Sequence, residues 1–359
     1  MPGLDSLRAV AFSFVLFDHF VPGDWPWSPW INGHIGVHLF FVISGFLITG
    51  ILIGSRTALE QTGESAGGVI RRFFARRVLR IFPVFYATLA LTYIVGFPVI
   101  RETIWWHLTY ASNFLFFRRG GFYAEASHFW SLAVEEQFYL AWPFVILLTP
   151  RRHLARAMVF CIGFACAFRL AGEFVWGWNE VQREVLTFSC LDSLALGGLF
   201  AWWQYGRPAR AEGLTRWLLI VALPVWIVLT GIVHYSFPSF GWVARSLDPF
   251  ALGGVVFAAA SGRFAFVLAR RPLAYLGRIS YGMYVFHLFV PLSVRKILRV
   301  VFHLQNLPAP VLVTLYTCVT IAAAAVSWHF FEAPLNSLKR FFPYTRPNTG
   351  PLVEVSEGA

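Results

Sequence analysis

The sequence predicts an all-α polytopic integral membrane protein, with about ten transmembrane helices and one re-entrant or interfacial segment. Of the 359 residues, 57% are hydrophobic and only 13% are charged, about half the charged fraction of a soluble domain. The apolar residues form runs of roughly 20, the length that crosses the hydrocarbon core of a bilayer. Arginines cluster in the short segments between the runs, which is the pattern of cytoplasmic loops.

Ten apolar runs are candidate spans. They cover residues 4–22, 31–53, 79–98, 129–149, 157–176, 185–205, 217–235, 242–262, 272–293 and 309–331. The apolar stretch 103–117 is shorter, so we interpret 103–128 as a re-entrant or interfacial segment on the outer side. We expect the first run to be a retained span, since no small-residue cleavage site follows it.

The positions of the basic residues predict the topology. Ten spans with a cytoplasmic N-terminus place four arginine clusters on the cytoplasmic face. These clusters lie at 71–80, 151–156, 207–216 and 263–271. Lys339 and Arg340 join them, whereas the cluster at 295–299 falls on the outer face. We therefore expect a multi-pass protein of the inner (cytoplasmic) membrane with both termini in the cytoplasm, and a membrane domain at 1–342 followed by a disordered tail at 343–359.

The basic residues explain the formal net charge of +11, which on a soluble protein would suggest a nucleic-acid partner. Because they serve here as topology signals and possible phosphate ligands, we predict no nucleic-acid partner. The four cysteines all lie in apolar runs and form no CxxC pair, so we predict neither a disulfide framework nor a metal site.

The first run contains two ionisable residues on one helix face. Arg8 and His19 are eleven residues apart, which in an α-helix brings the side chains within about 20° of each other and about 16 Å apart along the axis. An arginine at the cytoplasmic mouth suits an anionic donor, and a neutral imidazole deeper in the span suits a general base. The alternative is that Arg8 is only a topology charge and His19 only a satisfied polar residue.

Arg72, Arg76 and Arg80 also share one helix face. This stripe could bind the phosphates of a nucleotide-type donor; a stop-transfer anchor is an equally good interpretation. Glu135 and Glu136 lie in an apolar span, and adjacent helical side chains point about 100° apart. We therefore expect at most one of them to face a given cavity, where it would hold a catalytic histidine or a cationic partner.

Three further pairs have the spacing of neighbours on a helix surface. They are His34 with His38, Arg169 with Glu173, and Arg245 with Asp248. The histidine spacing also occurs among metal ligands, but no third ligand is identifiable nearby. The other two pairs are predicted to be ion pairs within one helix.

The order of several short motifs resembles the acyltransferase-3 family of membrane acyltransferases. The matching blocks are LDSLRA (4–9) with His19, GVHLFFVISGFL (36–47), RRVLRIFP (76–83), HFWSLAVEEQFY (128–139), LDSLALG (191–197), ISYGMYVFH (279–287) and EAP (332–334). The resemblance covers about residues 4–335.

The resemblance implies an enzyme with ten spans that transfers an acyl group, usually acetyl, from a coenzyme-A thioester to a carbohydrate hydroxyl. The expected partners are an acyl-CoA donor, a glycan or glycolipid acceptor and membrane lipid, with no bound cofactor. The expected catalytic residues are His19, Arg8 and Glu135, and the donor-binding residues are Arg72, Arg76 and Arg80. Supporting roles are expected for His38, Trp130, Ser131, Glu136, Asp192 and His287.

Two residues depart from the family pattern. His38 stands where the family usually has Asp, and Asp18 replaces a residue that is commonly aromatic before the family's histidine. Some relatives carry a fused esterase-like domain. We expect none here, so the membrane domain would act on its own acceptor or with a separate partner. The competing hypotheses are a transporter or flippase for a glycan or lipid-linked substrate, and a non-catalytic membrane protein of the same fold.

Overall fold

The computed structural model describes residues 1–21, 27–123, 125–206, 208–237, 245–304 and 307–344. Every regular element in these ranges is helical, as the sequence predicts. The predicted tail at 343–359 lies outside the described residues except for its first two positions.

The described residues up to Gly206 form nine helices. They are α1 (Pro2–Phe20), α2 (Gly33–Thr62), α3 (Ala66–Val95), α4 (Pro98–Leu108), α5 (Ser112–Arg119), α6 (Phe129–Leu148), α7 (Arg151–Phe174), α8 (Glu180–Glu184) and α9 (Thr187–Gly206). The second part forms α10 (Pro208–Trp217), α11 (Leu223–Ser236), α12 (Asp248–Ala260), α13 (Ala265–Leu268), α14 (Arg271–Arg278), α15 (Ser280–Phe286), α16 (Phe289–Val300), α17 (Ala309–Ser327) and α18 (Ala333–Ser337). Two π-helical turns, Leu218–Ala222 and Trp328–Glu332, continue α10 into α11 and α17 into α18.

Six helices of the described chain are long and apolar enough to cross a membrane. They are Gly33–Thr62, Ala66–Val95, Phe129–Leu148, Arg151–Phe174, Ala211–Ser236 and Ala309–Phe341. The expected count of ten is therefore not confirmed. Helix α1 has 19 residues but carries Asp5, Arg8 and Asp18, and this polar content is what separates it from an ordinary span.

Two predicted segments divide into shorter helices. The span expected at 272–293 consists of α14, α15 and the beginning of α16. The segment 103–128 contributes to α4 and α5 and then an irregular stretch, so it is not one continuous helix.

Large apolar side chains cover much of the outside of the bundle. Phe160 is 71% exposed and Phe330 is 80% exposed, and both belong to helices long enough to span a bilayer or to their continuation. Water would hydrate such a surface poorly, whereas lipid tails would cover it. The exposure pattern therefore agrees with a membrane-embedded protein.

Glycines bring the central helices into direct backbone contact. A Cβ atom at Gly45 of α2 would collide with the carbonyl of Leu194 in α9, and one at Gly197 would collide with the carbonyl of Val42. Gly277 of α14 is likewise pressed against the carbonyl of Asp5 in α1. Small residues permit this close approach in membrane helices, and the resulting core holds α1 against α2 and α14.

Candidate active site

His19 lies near the C-terminal end of α1 and contacts a second histidine. Its Nδ1 lies 3.1 Å from Nε2 of His287, and the two rings stack with centroids 5.1 Å apart. His287 is fully buried, and its Nδ1 lies 2.6 Å from the carbonyl oxygen of Tyr284. Although His287 is distant from His19 in sequence, the break between α15 and α16 places the two imidazoles side by side.

The exposed His19 ring lines a cavity of about 540 Å³, called here the His19 cavity. Trp130 and His128 line the same cavity, as do the acidic side chains Asp18 and Asp248. The volume and the mixture of aromatic and polar groups are suited to a small polar ligand of sugar size.

Arg8 lies in the second turn of α1 and lines a separate, smaller cavity of about 80 Å³, called here the Arg8 cavity. Arg77 and Arg80 of α3 line it together with Glu135 and Glu136 of α6. Three guanidinium groups therefore converge on one cavity with two carboxyl groups, and such a set can bind an anionic group bidentately.

The two cavities share part of their walls. Val37 and Tyr284 line both of them. The Tyr284 hydroxyl lies 2.6 Å from the Ser131 hydroxyl and donates to the carbonyl of His128 at 3.2 Å. Arg8 and His19 thus lie on one helix but open into different cavities, with Tyr284 between them.

The predicted arginine stripe of α3 divides between different surroundings. Arg80 lines the Arg8 cavity. Arg76 donates to the carbonyls of Lys339 and Phe342 at 3.0 and 3.1 Å. Arg72 forms an ion pair with Glu64.

Arg77, which lies outside the predicted stripe, lines the Arg8 cavity and is only 8% exposed. Its guanidinium carbon lies 5.8 Å from the centre of the Phe73 ring and 6.0 Å from that of Tyr139. From α3 the cavity is therefore lined by Arg77 and Arg80, of which only Arg80 belongs to the predicted stripe.

Both glutamates of α6 line the Arg8 cavity, so the expectation that at most one of them would face a given cavity is wrong. Both side chains are long enough to reach the same cavity from adjacent positions on the helix. Glu135 accepts a hydrogen bond from Ser44 at 2.6 Å, and Ser44 in turn accepts one from Tyr139 at 3.1 Å. Glu136 has a buried oxygen, Oε1, without a hydrogen-bond partner in the described chain.

His38 and Asp192 belong to a different polar network. Nδ1 of His38 lies 2.6 Å from the Ser193 hydroxyl, and the backbone N–H of Ser193 donates to Asp192 at 2.7 Å. Asp192 is paired with Arg169 at 2.5 Å. The described structure shows no contact between His38 and His19, so His38 lies apart from the His19–His287 pair.

The two predicted ion pairs within single helices are wrong. Arg169 contacts Asp192 instead of Glu173, and Glu173 pairs with Arg183. Likewise Arg245 pairs with Glu180 and Glu184. Asp248 instead accepts a hydrogen bond from Trp226 at 2.7 Å and lies 3.2 Å from Nε2 of His34. In each case a side chain from another helix competes successfully with the local neighbour.

The rings of His34 and His38 lie 4.3 Å apart. No group of three or more His, Cys, Asp or Glu residues in the described ranges is arranged to hold a metal ion.

Three residues that line these cavities are not among the predicted site residues. They are Arg77, Tyr284 and His128, whose ring centroid lies 4.9 Å from that of His287. All three occur in matching blocks of the family resemblance. Their position in those blocks was the available signal.

Comparison with known proteins agrees with the resemblance. The family model of the acyltransferase domain, acyltransferase-3, matches residues 1–329. The peptidoglycan O-acetyltransferase OatA of Listeria monocytogenes is 25% identical over 367 residues, which cover 93% of this chain and 56% of that protein. The O-acetyltransferase OatA of Staphylococcus aureus is 26% identical and covers 93% of this chain and 57% of its own. The chain thus spans just over half the length of these relatives.

No solved structure matches this chain. The family match extends over nearly the whole chain and includes Arg8 and His19 of α1 as well as the Tyr284–His287 segment. The chain therefore belongs to the acyltransferase-3 family.

Proposed function

We propose that this protein transfers an acyl group, with acetyl as the expected one, from a coenzyme-A thioester to a hydroxyl of a carbohydrate acceptor. Relatives named as O-acetyltransferases support the reaction, and the peptidoglycan named for the Listeria relative makes a cell-wall glycan the first acceptor to test. The protein would act in the inner membrane with both termini in the cytoplasm, as the arginine clusters predict.

One arrangement carries this proposal. Helix α1 joins a cavity lined by arginines to a cavity lined by an imidazole, with Arg8 in the first and His19 in the second. An acyl-CoA donor has an anionic nucleotide and a long, thin arm that ends in the thioester. Arg8, Arg77 and Arg80 would hold the phosphates, and the arm would extend past Val37 and Tyr284 toward His19.

The distance between Arg8 and His19 along α1 suits a donor with such a long arm. Eleven residues of helix separate Arg8 from His19, a distance of about 16 Å along the axis. A shorter anionic donor held at Arg8 would not bring its reactive carbon to the imidazole. The separation therefore favours a donor with an extended linker between its phosphates and its acyl group.

His19 would act as the general base. The acceptor hydroxyl loses its proton to the imidazole while its oxygen attacks the thioester carbon. The new carbon–oxygen bond replaces the carbon–sulfur bond, and the imidazolium then returns the proton to the departing thiolate. The products are an O-acyl ester and free coenzyme A, and His19 regains its neutral form. A positioned base of this kind contributes about 10²–10⁴ in rate.

Glu135 would balance the charge of the arginines. Its carboxyl group is held by Ser44 at 2.6 Å and faces the same cavity as Arg8. A carboxylate at this position lowers the net positive charge of the cavity before the donor binds. Glu136 would offer its Oε1 atom to an N–H group of the donor's arm.

The test uses purified protein, acetyl-CoA labelled in its acetyl group, and fragments of peptidoglycan. We expect label to appear as an ester on the glycan together with one free thiol for each ester formed. The His19→Ala protein at equal amount is the control. If glycan crosses the membrane of reconstituted vesicles without consumption of thioester, the protein is a transporter and the proposal is wrong. Family membership does not favour that alternative.

A further inference from the structure

We propose that His287 is a positioning residue that holds His19 in one tautomer, with a proton on Nδ1 and a lone pair on Nε2. The inference rests on the proposed function, because it assigns the proton acceptor to one atom of the base, His19 Nε2. The argument begins at the carbonyl oxygen of Tyr284.

A carbonyl oxygen can only accept a hydrogen bond. Nδ1 of His287 lies 2.6 Å from the Tyr284 oxygen, so this nitrogen carries the proton and donates. Tyr284 lies in the last turn of α15, which ends at Phe286. Carbonyls of a last helical turn have no partner within their own helix, and the break before α16 leaves this one for the imidazole.

His287 is neutral in this environment. Its side chain is fully buried, and its ring neighbours include Phe12 at 5.7 Å and Phe20 at 6.4 Å between centroids. The contacts described for His287 include no carboxylate. A buried imidazolium without a counter-charge is costly. With its proton on Nδ1, neutral His287 presents the lone pair of Nε2.

That lone pair determines the state of His19. Nε2 of His287 lies 3.1 Å from Nδ1 of His19, and because it can only accept, His19 must donate from Nδ1. The other tautomer of His19 would place two lone pairs opposite each other. His19 Nε2 is therefore left unprotonated on a ring that lines the His19 cavity.

A third imidazole packs against this pair. Nε2 of His128 donates to the carbonyl of Val285 at 3.1 Å, and this carbonyl also belongs to the last turn of α15. The His128 ring lies 4.9 Å from the His287 ring at a steep angle of 70°. The end of α15 thus orients two histidines through two adjacent backbone carbonyls, and this support restricts rotation of the His287 ring.

The hydrogen bond between the two histidines also stabilises the protonated, positively charged form of His19. When His19 takes up the acceptor's proton on Nε2, its Nδ1–H becomes a stronger donor to His287. Because His287 is neutral, it orients His19 without placing a second charge in the apolar core. A charged partner there would need a counter-charge of its own.

Two conservative substitutions separate the two hydrogen bonds of His287. In His287→Gln the side-chain amide reaches the former position of Nε2 and offers an oxygen to His19. In His287→Asn the shorter amide reaches only the position of Nδ1, so it keeps the bond to Tyr284 and loses the acceptor for His19. Both variants are compared at equal amounts of monodisperse protein.

We expect His287→Gln to keep more than about a tenth of the wild-type kcat, and His287→Asn to lose on the order of 10²-fold in kcat with an unchanged KM for the donor. A structural role alone would lower both variants equally or would change their KM values. Equal loss in the two variants at equal folded amounts would overturn the proposal.

A second measurement determines the tautomer of His19 and does not depend on enzyme activity. Nitrogen-15 spectra of protein labelled at histidine distinguish protonated from unprotonated ring nitrogens, and the His19→Gln protein identifies the His19 signals. We expect a protonated Nδ1 and an unprotonated Nε2 in the wild type, and loss of this preference in His287→Asn. An unprotonated Nδ1 in the wild type would overturn the proposal. Absence of acyl transfer by a wild type that shows the expected tautomer would instead refute the proposed function.

Discussion

The hydroxyl oxygens of Tyr284 and Ser131 lie 2.6 Å apart, and the Tyr284 side chain lines both the Arg8 cavity and the His19 cavity. This hydrogen bond joins α15 to α6 at the wall between the two cavities. The same tyrosine accepts the Nδ1 proton of His287 on its backbone carbonyl. Tyr284 therefore separates the proposed donor and acceptor sites while it orients the partner of the base.

Removal of the Tyr284 ring should let water reach the donor thioester. We expect Tyr284→Ala to increase hydrolysis of acetyl-CoA without acceptor relative to transfer, because a closed site excludes such side reactions. Tyr284→Phe keeps the ring and is the matched control. Release of free thiol, measured with and without glycan, gives both rates. An unchanged ratio in Tyr284→Ala would show that this side chain is not the barrier.

His19→Ala should lose about 10²–10⁴-fold in turnover with little change in donor affinity, because a general base acts in the chemical step. His234 lines the same cavity and provides the control, since His234→Ala leaves the His19–His287 pair intact. His287 cannot serve as a control, because it contacts His19 directly. More than about a tenth of wild-type turnover in His19→Ala would contradict the role of base.

Arg80→Gln should weaken donor binding, because its guanidinium lines the Arg8 cavity. Loss of one charge-assisted hydrogen bond costs about 1.5–3 kcal/mol, or about tenfold to a hundredfold in Kd for coenzyme A. Arg76→Gln is the matched control on the same helix face, since Arg76 donates to the carbonyls of Lys339 and Phe342. Equal weakening by both substitutions would assign donor binding to the whole stripe rather than to the cavity.

Reporter fusions at the arginine cluster 151–156, which begins α7, and at the C-terminus should both report cytoplasm. Arg8, in the second turn of α1, and Arg80, midway along α3, line one cavity. The arginine clusters predict that both helices begin on the cytoplasmic side. Cysteine labelling from outside intact cells provides an independent reading at the same positions. An outer signal at either position would break the ten-span topology.

The amino-acid sequence predicts the helical class well, because the apolar periodicity and the arginine loops depend only on local composition. The sequence predicts the number of membrane spans less well. The region 272–293 has the composition of one span but forms three shorter elements. A hydropathy profile is averaged over a window of residues, so it does not show a break in a helix such as the one between α15 and α16 beside His287. That break is nonetheless the feature that places His287 against His19.

The sequence alone determines that Arg8 and His19 share a helix and a face, since spacing and helical geometry suffice for that conclusion. Only the tertiary structure determines which side chains each of these residues contacts. Arg169 and Arg245 pair with side chains from other segments instead of their helical neighbours. Arg77 joins the Arg8 cavity while Arg76 does not line it. The physical reason is that helical periodicity fixes the direction of a side chain, whereas its partner depends on which helices pack beside it.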